Sequence, residues 1–200
     1  MPLVIERVRP TSVVDVGCGS GGWLKVFAEH GVTDVVGIDG PYLRDEALRI
    51  DPAAFVPQDL AEPFELDRRF DLALSLEAAH YVSEDRASSL VGSIAKLAPA
   101  VLFGAAVPYQ GGGPGRNRQW PAWWAEVFAA HGFRAVDWLR PLVWEDDRVD
   151  WWYAQNTILF LADGGAGERI LPLVHPGLAA ELAHPSEEPG RRRRRFGFRR

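Results

Sequence analysis

The chain predicts an α/β fold: a doubly wound, mostly parallel sheet with helices on both faces. Three observations carry this expectation. Short apolar runs alternate with helical patterns five times between residues 13 and 107. The first run ends in a glycine-rich turn that opens onto a segment with one apolar face. The second run ends in a carboxylate, Asp39.

Taken in order, Leu3 to Val8 reads as a short helix or an approach segment. Val13, Val14 and Val16 form a buried strand, and Gly17, Gly19, Gly21 and Gly22 turn the chain. Trp23 to His30 follows as a helix with Trp23, Leu24, Phe27 and Ala28 on one face. His30-Gly31 and His131-Gly132 read as helix ends, where glycine reaches the left-handed region and histidine meets the negative end of the dipole. Val35 to Ile38 is the second strand, Glu46 to Ile50 is weakly helical, and Ala53 to Val56 is a short third strand. Phe70 to Leu76 is the fourth strand, Ala87 to Leu97 an amphipathic helix ended by Pro99, and Val101 to Val107 the fifth strand. The Gly-rich stretch from Pro108 to Gln119 leaves the end of the fifth strand and can cover a site there. A helix from Trp120 to Ala130, with Pro121 in its first turn, precedes strands at 135–139 and 157–161. A Trp-rich connector (Trp144, Trp151, Trp152) joins those two strands. Residues 1–162 thus read as one domain, with a linker at Asp163 to Gly167, a short helix over 176–184 and an Arg-rich tail as a C-terminal extension.

Composition bounds the function. A hydrophobic share of 47% supports a buried core. The start lacks a basic segment followed by a long apolar one, and no run reaches membrane-span length, so the expectation is a cytoplasmic protein without a membrane partner. The single cysteine, Cys18, cannot form an internal disulfide and fits a reducing compartment. The net charge is −5, yet seven arginines stand in residues 191–200, so the body is strongly acidic. That distribution argues against a nucleic-acid partner, whose basic surface would belong to the fold. The tail reads as solvated chain or as a contact for phosphate or an acidic partner. No metal-ligand spacing and no Gly-x-Ser-x-Gly elbow is present, and the oligomeric state is left open.

The chemistry gathers at the first turn. Gly17, Gly19 and Gly22 fit G-x-G-x-x-G, where absent Cβ atoms let backbone approach a ligand and a helix N-terminus offers free N–H groups. Asp15 stands on a strand that should be apolar. A buried carboxylate is costly unless paired, so it invites a cationic or donor-rich ligand. Asp39, 22 positions after Gly17, is placed to accept from ribose hydroxyls; alternatively Asp39-Gly40 is a turn cap.

The spacing Asp15-x-Gly17-x-Gly19, with Phe70-Asp71-Leu72-x-x-Ser75-Leu76-Glu77-x-x-x-x-Val82, resembles motifs I and IV of the class I S-adenosylmethionine (SAM) methyltransferases, over roughly residues 10–162. The resemblance implies a Rossmann-like, seven-stranded sheet whose last strand runs antiparallel. It implies SAM as cofactor, held by Asp15, Gly17, Cys18, Gly19, Gly22, Asp39, Gly40, Asp59, Leu60 and Ser75. Asp59 would accept from the adenine amino group; its other reading is a solvated turn residue. The fourth strand would open onto the acceptor, with His80 as base for an oxygen acceptor and Glu77 next, each also readable as a packing or turn residue. Relatives often carry a Glu-His pair where this chain has Ala79-His80. Trp120, Trp123, Trp124, Trp151 and Trp152 read as pocket walls or core. Asn117-x-Gln119-Trp120-Pro121 and Trp151 to Asn156 are similar to a bacterial subgroup near polysaccharide and natural-product biosynthesis enzymes. The implied activity is methyl transfer to a small-molecule hydroxyl of a sugar or secondary metabolite. The alternatives are a SAM-binding protein without catalysis, an RNA methyltransferase using the tail, and a nicotinamide oxidoreductase, which Asp15 disfavours.

Overall fold

The first strand forms where the valines place it. In the computed structural model, which describes residues 1–44, 47–111 and 115–183, the elements in order are α1 (Pro2–Val8), β1 (Ser12–Val16), α2 (Gly22–Glu29), β2 (Asp34–Asp39), β3 (Phe55–Pro57), β4 (Leu72–Leu76), α3 (Ala87–Leu97), β5 (Ala100–Gly104), α4 (Pro121–Ala130), β6 (Arg134–Val136), α5 (Arg140–Val143), α6 (Trp151–Asn156), β7 (Ile158–Leu161) and α7 (Pro176–Ala183). The strands make one sheet of order β3-β2-β1-β4-β5-β7-β6. β7 pairs antiparallel with both β5 and β6, and every other pairing is parallel. The chain winds outward from β1 to β3, then crosses back to start β4 on the other side of β1. That reversal opens a crevice at the C-terminal ends of β1 and β4, where open α/β sheets hold ligands.

Alternation along the strands sorts the core into two layers. Leu72, Leu74 and Leu76 of β4 face Val4 of α1 and Leu24 and Phe27 of α2. Ala73, with Val14, Val16, Val101 and Phe103, faces Leu90, Val91 and Ile94 of α3 and Trp124 and Phe128 of α4. Phe103 sits 4.8 Å from Trp124 and 5.1 Å from Phe128, ring centre to ring centre. Because both faces are covered, β1, β4 and β5 are buried at every position. Asp15 is the one carboxylate in those three strands, on the α2 side with Val13.

Several expected elements end early, and the reason is side-chain competition for backbone groups. Residues 105–107 leave β5: Ala106 N–H donates to His80 Nδ1 and Val107 N–H to Gln110 Oε1. Residues 70–71 precede β4, where Asp71 accepts from Thr11 and Ser12 and fixes the entry of β1. Residues 53–54 form a 3₁₀ turn capped by Asp51 instead of strand. Ala47 N–H donates to Arg44 O in a 3₁₀ turn, and residues 48–50 are not helical; Arg49 N–H donates to Ser20 O, and Ile50 packs toward Gly21 and Gly37. Glu46 lies outside the described residues. The Trp-rich connector folds into α5 and α6, and residues 138–139 leave the sheet to enter α5.

Residues 163–183 return to the body. Ile170 and Leu178 are buried, and Glu168 N–H donates to Ala135 O. The staple is Arg140, whose side chain is only 1% exposed. It binds the Asp137 carboxylate through Nε and Nη2 and also donates to the carbonyls of Gln155 and Leu171. His184 and the arginine tail lie outside the described residues. Among the described residues no helix is long and apolar enough to cross a membrane. Removing one partner of a buried ion pair strands the other charge, so Asp137→Ala is expected to cost about 3–5 kcal/mol in denaturant unfolding. A loss under 1 kcal/mol would show that Asp137 is not what neutralises Arg140.

Candidate functional site

The glycine turn curls back onto β2. Gly17 and Cys18 N–H groups both donate to Ile38 O, at 2.8 and 3.2 Å, extending the β1–β2 ladder past its end. Gly17 has φ +83°, and a Cβ there would stand 2.1 Å from the Ala78 Cβ, so this position admits glycine alone. Cys18 is buried against Gly37, and burial with the charges of Asp15 and Asp39 raises its thiol pKa, which makes it a packed, inert group. At Gly19 (φ +52°) and Gly22 no atom lies within 4 Å of where a Cβ would point, so the outer side of the turn and the start of α2 face open space.

Asp15 is 1% exposed, and neither carboxylate oxygen has a hydrogen-bond partner. Burial, then the charge of Asp39, pushes its pKa up to about 7. Asp39 is the opposite case. Its Oδ2 accepts from Gly19 N–H at 2.7 Å, and its Oδ1 accepts from Gly40 N–H and from the Tyr42 hydroxyl. Tyr42 is 76% exposed, and its hydrogen bond to Asp39 drives the phenol pKa up to about 12. The Tyr42 ring lies over Gly40, where a Cβ would meet it at 2.1 Å.

The other expected cofactor residues divide. Leu60 lies beside Gly17, 3.6 Å from the Cβ position there. Asp59 is exposed and accepts from Ala61 N–H, the hydrogen bond of a turn aspartate. Ser75 pairs with Phe103 in register on the α3–α4 side of the sheet, opposite Asp15, and its buried hydroxyl has no partner. The structure thus brings Asp15, Gly17, Cys18, Gly19, Asp39, Gly40 and Leu60 together, with Gly22 at the adjoining helix start.

Past β4, Glu77 adopts φ +55°, which costs a non-glycine residue on the order of 1 kcal/mol. Its N–H donates to Gly104 O. Its carboxylate accepts from Asn156 Nδ2 at 3.1 Å and from Gln110 Nε2 at 2.7 Å. Burial raises its pKa against the opposing pull of these two donors. Asn156 also donates to Gln110 Oε1, Gln155 donates to Asn156 Oδ1, and His175 N–H donates to Gln155 Oε1. Sequence reading missed Gln110, Gln155 and Asn156. The available signal was a Gln-Asn pair directly before an apolar strand, since buried amides are kept only where they are hydrogen-bonded.

His80 is held differently from the expected base. Its Nδ1 accepts from Ala106 N–H at 3.1 Å, which assigns the ring proton to Nε2. Its carbonyl accepts from Arg116 and Asn117 N–H. Burial and the nearby Arg118 charge lower its pKa to about 4.

A cavity of about 730 Å³ adjoins this cluster, between α1, the start of α2, the end of β4 and α5–α6. Its aromatic walls are Trp23 and Tyr153, edge to face at 5.4 Å; none of the five tryptophans named as wall candidates lines it. Trp124, for example, is core. A groove of about 810 Å³ along α4 and β6 touches none of these residues.

With this geometry in place, comparison is informative. A family model described as a methyltransferase domain matches residues 3–145. Among solved structures, the chain is similar to a sugar N-methyltransferase from Streptoalloteichus sp., with 16% identity, a TM-score of 0.62, and 84% of this chain and 85% of that chain covered. It is also similar to a SAM-bound amino pentose methyltransferase from Micromonospora echinaspora involved in calicheamicin biosynthesis, with 17% identity, a TM-score of 0.57, and coverage of 80% and 89%. At such identities the likeness is one of fold. A stretch of 58 residues is 38% identical to the ribosomal RNA large subunit methyltransferase E of a Caulobacter strain, covering 28% of this chain and 23% of that protein. The chain therefore matches under a quarter of that relative's length.

Asp15 supplies a pH-dependent test that needs no ligand. Its folded pKa, about 7, exceeds its ordinary 3.8. The folded state therefore binds the proton more tightly, and the group's contribution to stability is lost as pH rises from the lower value through the higher. Asp15→Asn has no such loss, so its Tm should gain on the native protein between pH 5 and pH 8. A constant difference would show that Asp15 is not buried unpaired.

Proposed function

The chain belongs to the class I SAM-dependent methyltransferases, and from that premise we propose that it moves a methyl group to a hydroxyl of a small molecule, a sugar or secondary metabolite. The observation that supports it most is the unpartnered, buried carboxylate of Asp15 beside an open glycine turn. A buried charge without a partner fits the ammonium group of the cofactor's methionine moiety. Asp39 would take the ribose hydroxyls, and the faces of Gly19 and Gly22 leave room for the cofactor's backbone-hugging portion. SAM supplies a methyl group already activated on a sulfonium.

What remains for the chain is to orient the acceptor and take its proton. We assign the proton to Glu77 rather than His80. Each Glu77 oxygen receives one amide donor and keeps lone-pair capacity for another proton. The neutral His80 ring has its Nδ1 lone pair occupied and its Nε2 protonated, so it serves as a donor or a positioning group.

Titration with S-adenosylhomocysteine, with NAD in parallel, tests the cofactor. Micromolar binding of the former supports the reading, and preference for NAD overturns it. Tyr42 modulates this step. Asp39 Oδ1 is already engaged by Gly40 N–H and Tyr42, and the tyrosine hydroxyl is the replaceable donor. Tyr42→Phe should tighten binding roughly 2- to 10-fold, the worth of one net hydrogen bond. Weakened binding would mean that the hydroxyl contacts the ligand instead.

The base assignment has its own test. Glu77→Gln should lower kcat about 10²- to 10⁴-fold, while His80→Gln should keep most of it. kcat should fall as acid protonates Glu77, and Gln110→Ala, which removes a donor favouring the ionised form, should move that limb to higher pH. An unmoved limb would exclude Glu77. The match to a ribosomal RNA methyltransferase favours a second reading, methylation of RNA with the arginine tail as a contact. Activity on RNA that disappears on deletion of residues 191–200 would establish it in place of the first.

A further inference from the structure

The cavity beside Glu77 says what kind of acceptor fits. Leu3 and Val4 of α1, Trp23 of α2, Leu76 of β4, Leu142 of α5 and Tyr153 of α6 form its walls. Its volume of about 730 Å³ lies in the range of sites that enclose a small organic ligand. Leu3 and Leu142 remain 39% and 55% exposed, an apolar rim left open among the described residues. Its lining includes Leu76 and Thr157, the chain neighbours of Glu77 and of Asn156, which donates to Glu77. Trp23, two residues past Gly21, borders both this space and the glycine turn.

Its charges are one-sided. Arg148 is on the rim, but its guanidinium is engaged by the Asp146 carboxylate at 2.8 and 2.7 Å. The Met1 amino group is half-buried, and burial lowers its pKa, which favours its neutral form. Asp150 lines the cavity as well, Glu77 directly follows Leu76 of its wall, and the lining holds no arginine or lysine besides Arg148. An anionic acceptor would be brought against these carboxylates, and like charges repel. A bare sugar would lose water from its hydroxyls against the leucine and valine walls, which return no hydrogen bonds, the polar side chains of the lining being those of Asp146, Arg148, Asp150, Tyr153 and Thr157.

Resting on the methyl-transfer reading above, we propose that this cavity takes the acceptor, and that the acceptor is an uncharged alcohol or phenol with an apolar, ring-sized body. Carboxylates and phosphate esters are excluded from it, and of the two acceptor kinds named above it takes the secondary metabolite rather than a free sugar.

The test uses the full chain, with and without S-adenosylhomocysteine, and three compounds: 2-naphthol, 2-naphthoate and methyl glucoside. Calorimetry should show 2-naphthol binding at least ten-fold more tightly than the other two. Leu142→Glu, a change at an exposed rim position, should weaken 2-naphthol at least ten-fold and leave S-adenosylhomocysteine affinity as it was. Equal binding of 2-naphthoate, or no effect of Leu142→Glu on 2-naphthol, overturns the acceptor class. Failure of the wild-type chain to bind S-adenosylhomocysteine overturns the methyl-transfer reading instead, and that result is read independently of the naphthalene compounds.

Discussion

A carboxylate buried without a partner is the constraint around which this structure is arranged. Asp15 lies in a fully buried strand, under a turn whose backbone N–H groups are committed elsewhere, two of them to Ile38 O. Asp39 adds a second negative charge on the neighbouring strand, and that charge raises the pKa of Asp15 further. The fold thus maintains a local excess of negative charge in a low-dielectric crevice. Such an arrangement is unfavourable for the chain alone and favourable for a ligand carrying a cation. The glycine turn is shaped by the same requirement. Gly17 is pressed against Ala78 and lets β1 and β4 approach, while Gly19 and Gly22 leave their outer faces open.

The second polar centre solves a different problem. Glu77 leaves β4 with a left-handed backbone, so its carboxylate is directed by a strained hinge and must be held by partners. Those partners come from far along the chain: Gln110 from the loop after β5, and Asn156 from the end of α6. Asn156 is in turn fixed by Gln155, and Gln155 by the backbone of His175. The segment after β7 therefore supports the site through a continuous run of hydrogen bonds, with Arg140 tying the same segment to α5 and α6. A fully satisfied buried network of this kind fixes one geometry, because any rotation leaves an amide unpaired in a dry interior.

The two centres stand past the C-terminal ends of neighbouring strands, Asp15 beneath the turn after β1 and Glu77 directly after β4. Trp23, at the start of α2, and Tyr153 of α6 meet edge to face on the wall of the apolar cavity. The cavity's position follows the sheet. The side carrying Asp15 and Leu76 receives the cavity, while the side carrying Ser75 is filled by α3, α4 and the aromatic cluster around Phe103. Function in this fold class resides in such local sites, and the shared sheet fixes only where they stand.

The amino-acid sequence by itself determined the layers. Short, near-continuous apolar runs of valine and leucine, interrupted by glycine and by helical patterns, point to a parallel sheet covered on both faces, and the G-x-G-x-x-G turn after Val16 marks its ligand end. These features are local, so spacing reveals them. The tertiary structure alone decided which polar groups meet. His80 lies at the end of β4 as its position in the chain suggests, yet only the approach of Ala106 occupies its Nδ1. Ser75 and Asp15 are at neighbouring positions on adjacent strands, yet the pleat directs them to opposite faces. Gln110 and Asn156 reach Glu77 across 33 and 79 positions of chain. Hydrogen-bond satisfaction in a buried site depends on distances between residues remote in sequence, and no periodicity in the chain encodes those distances.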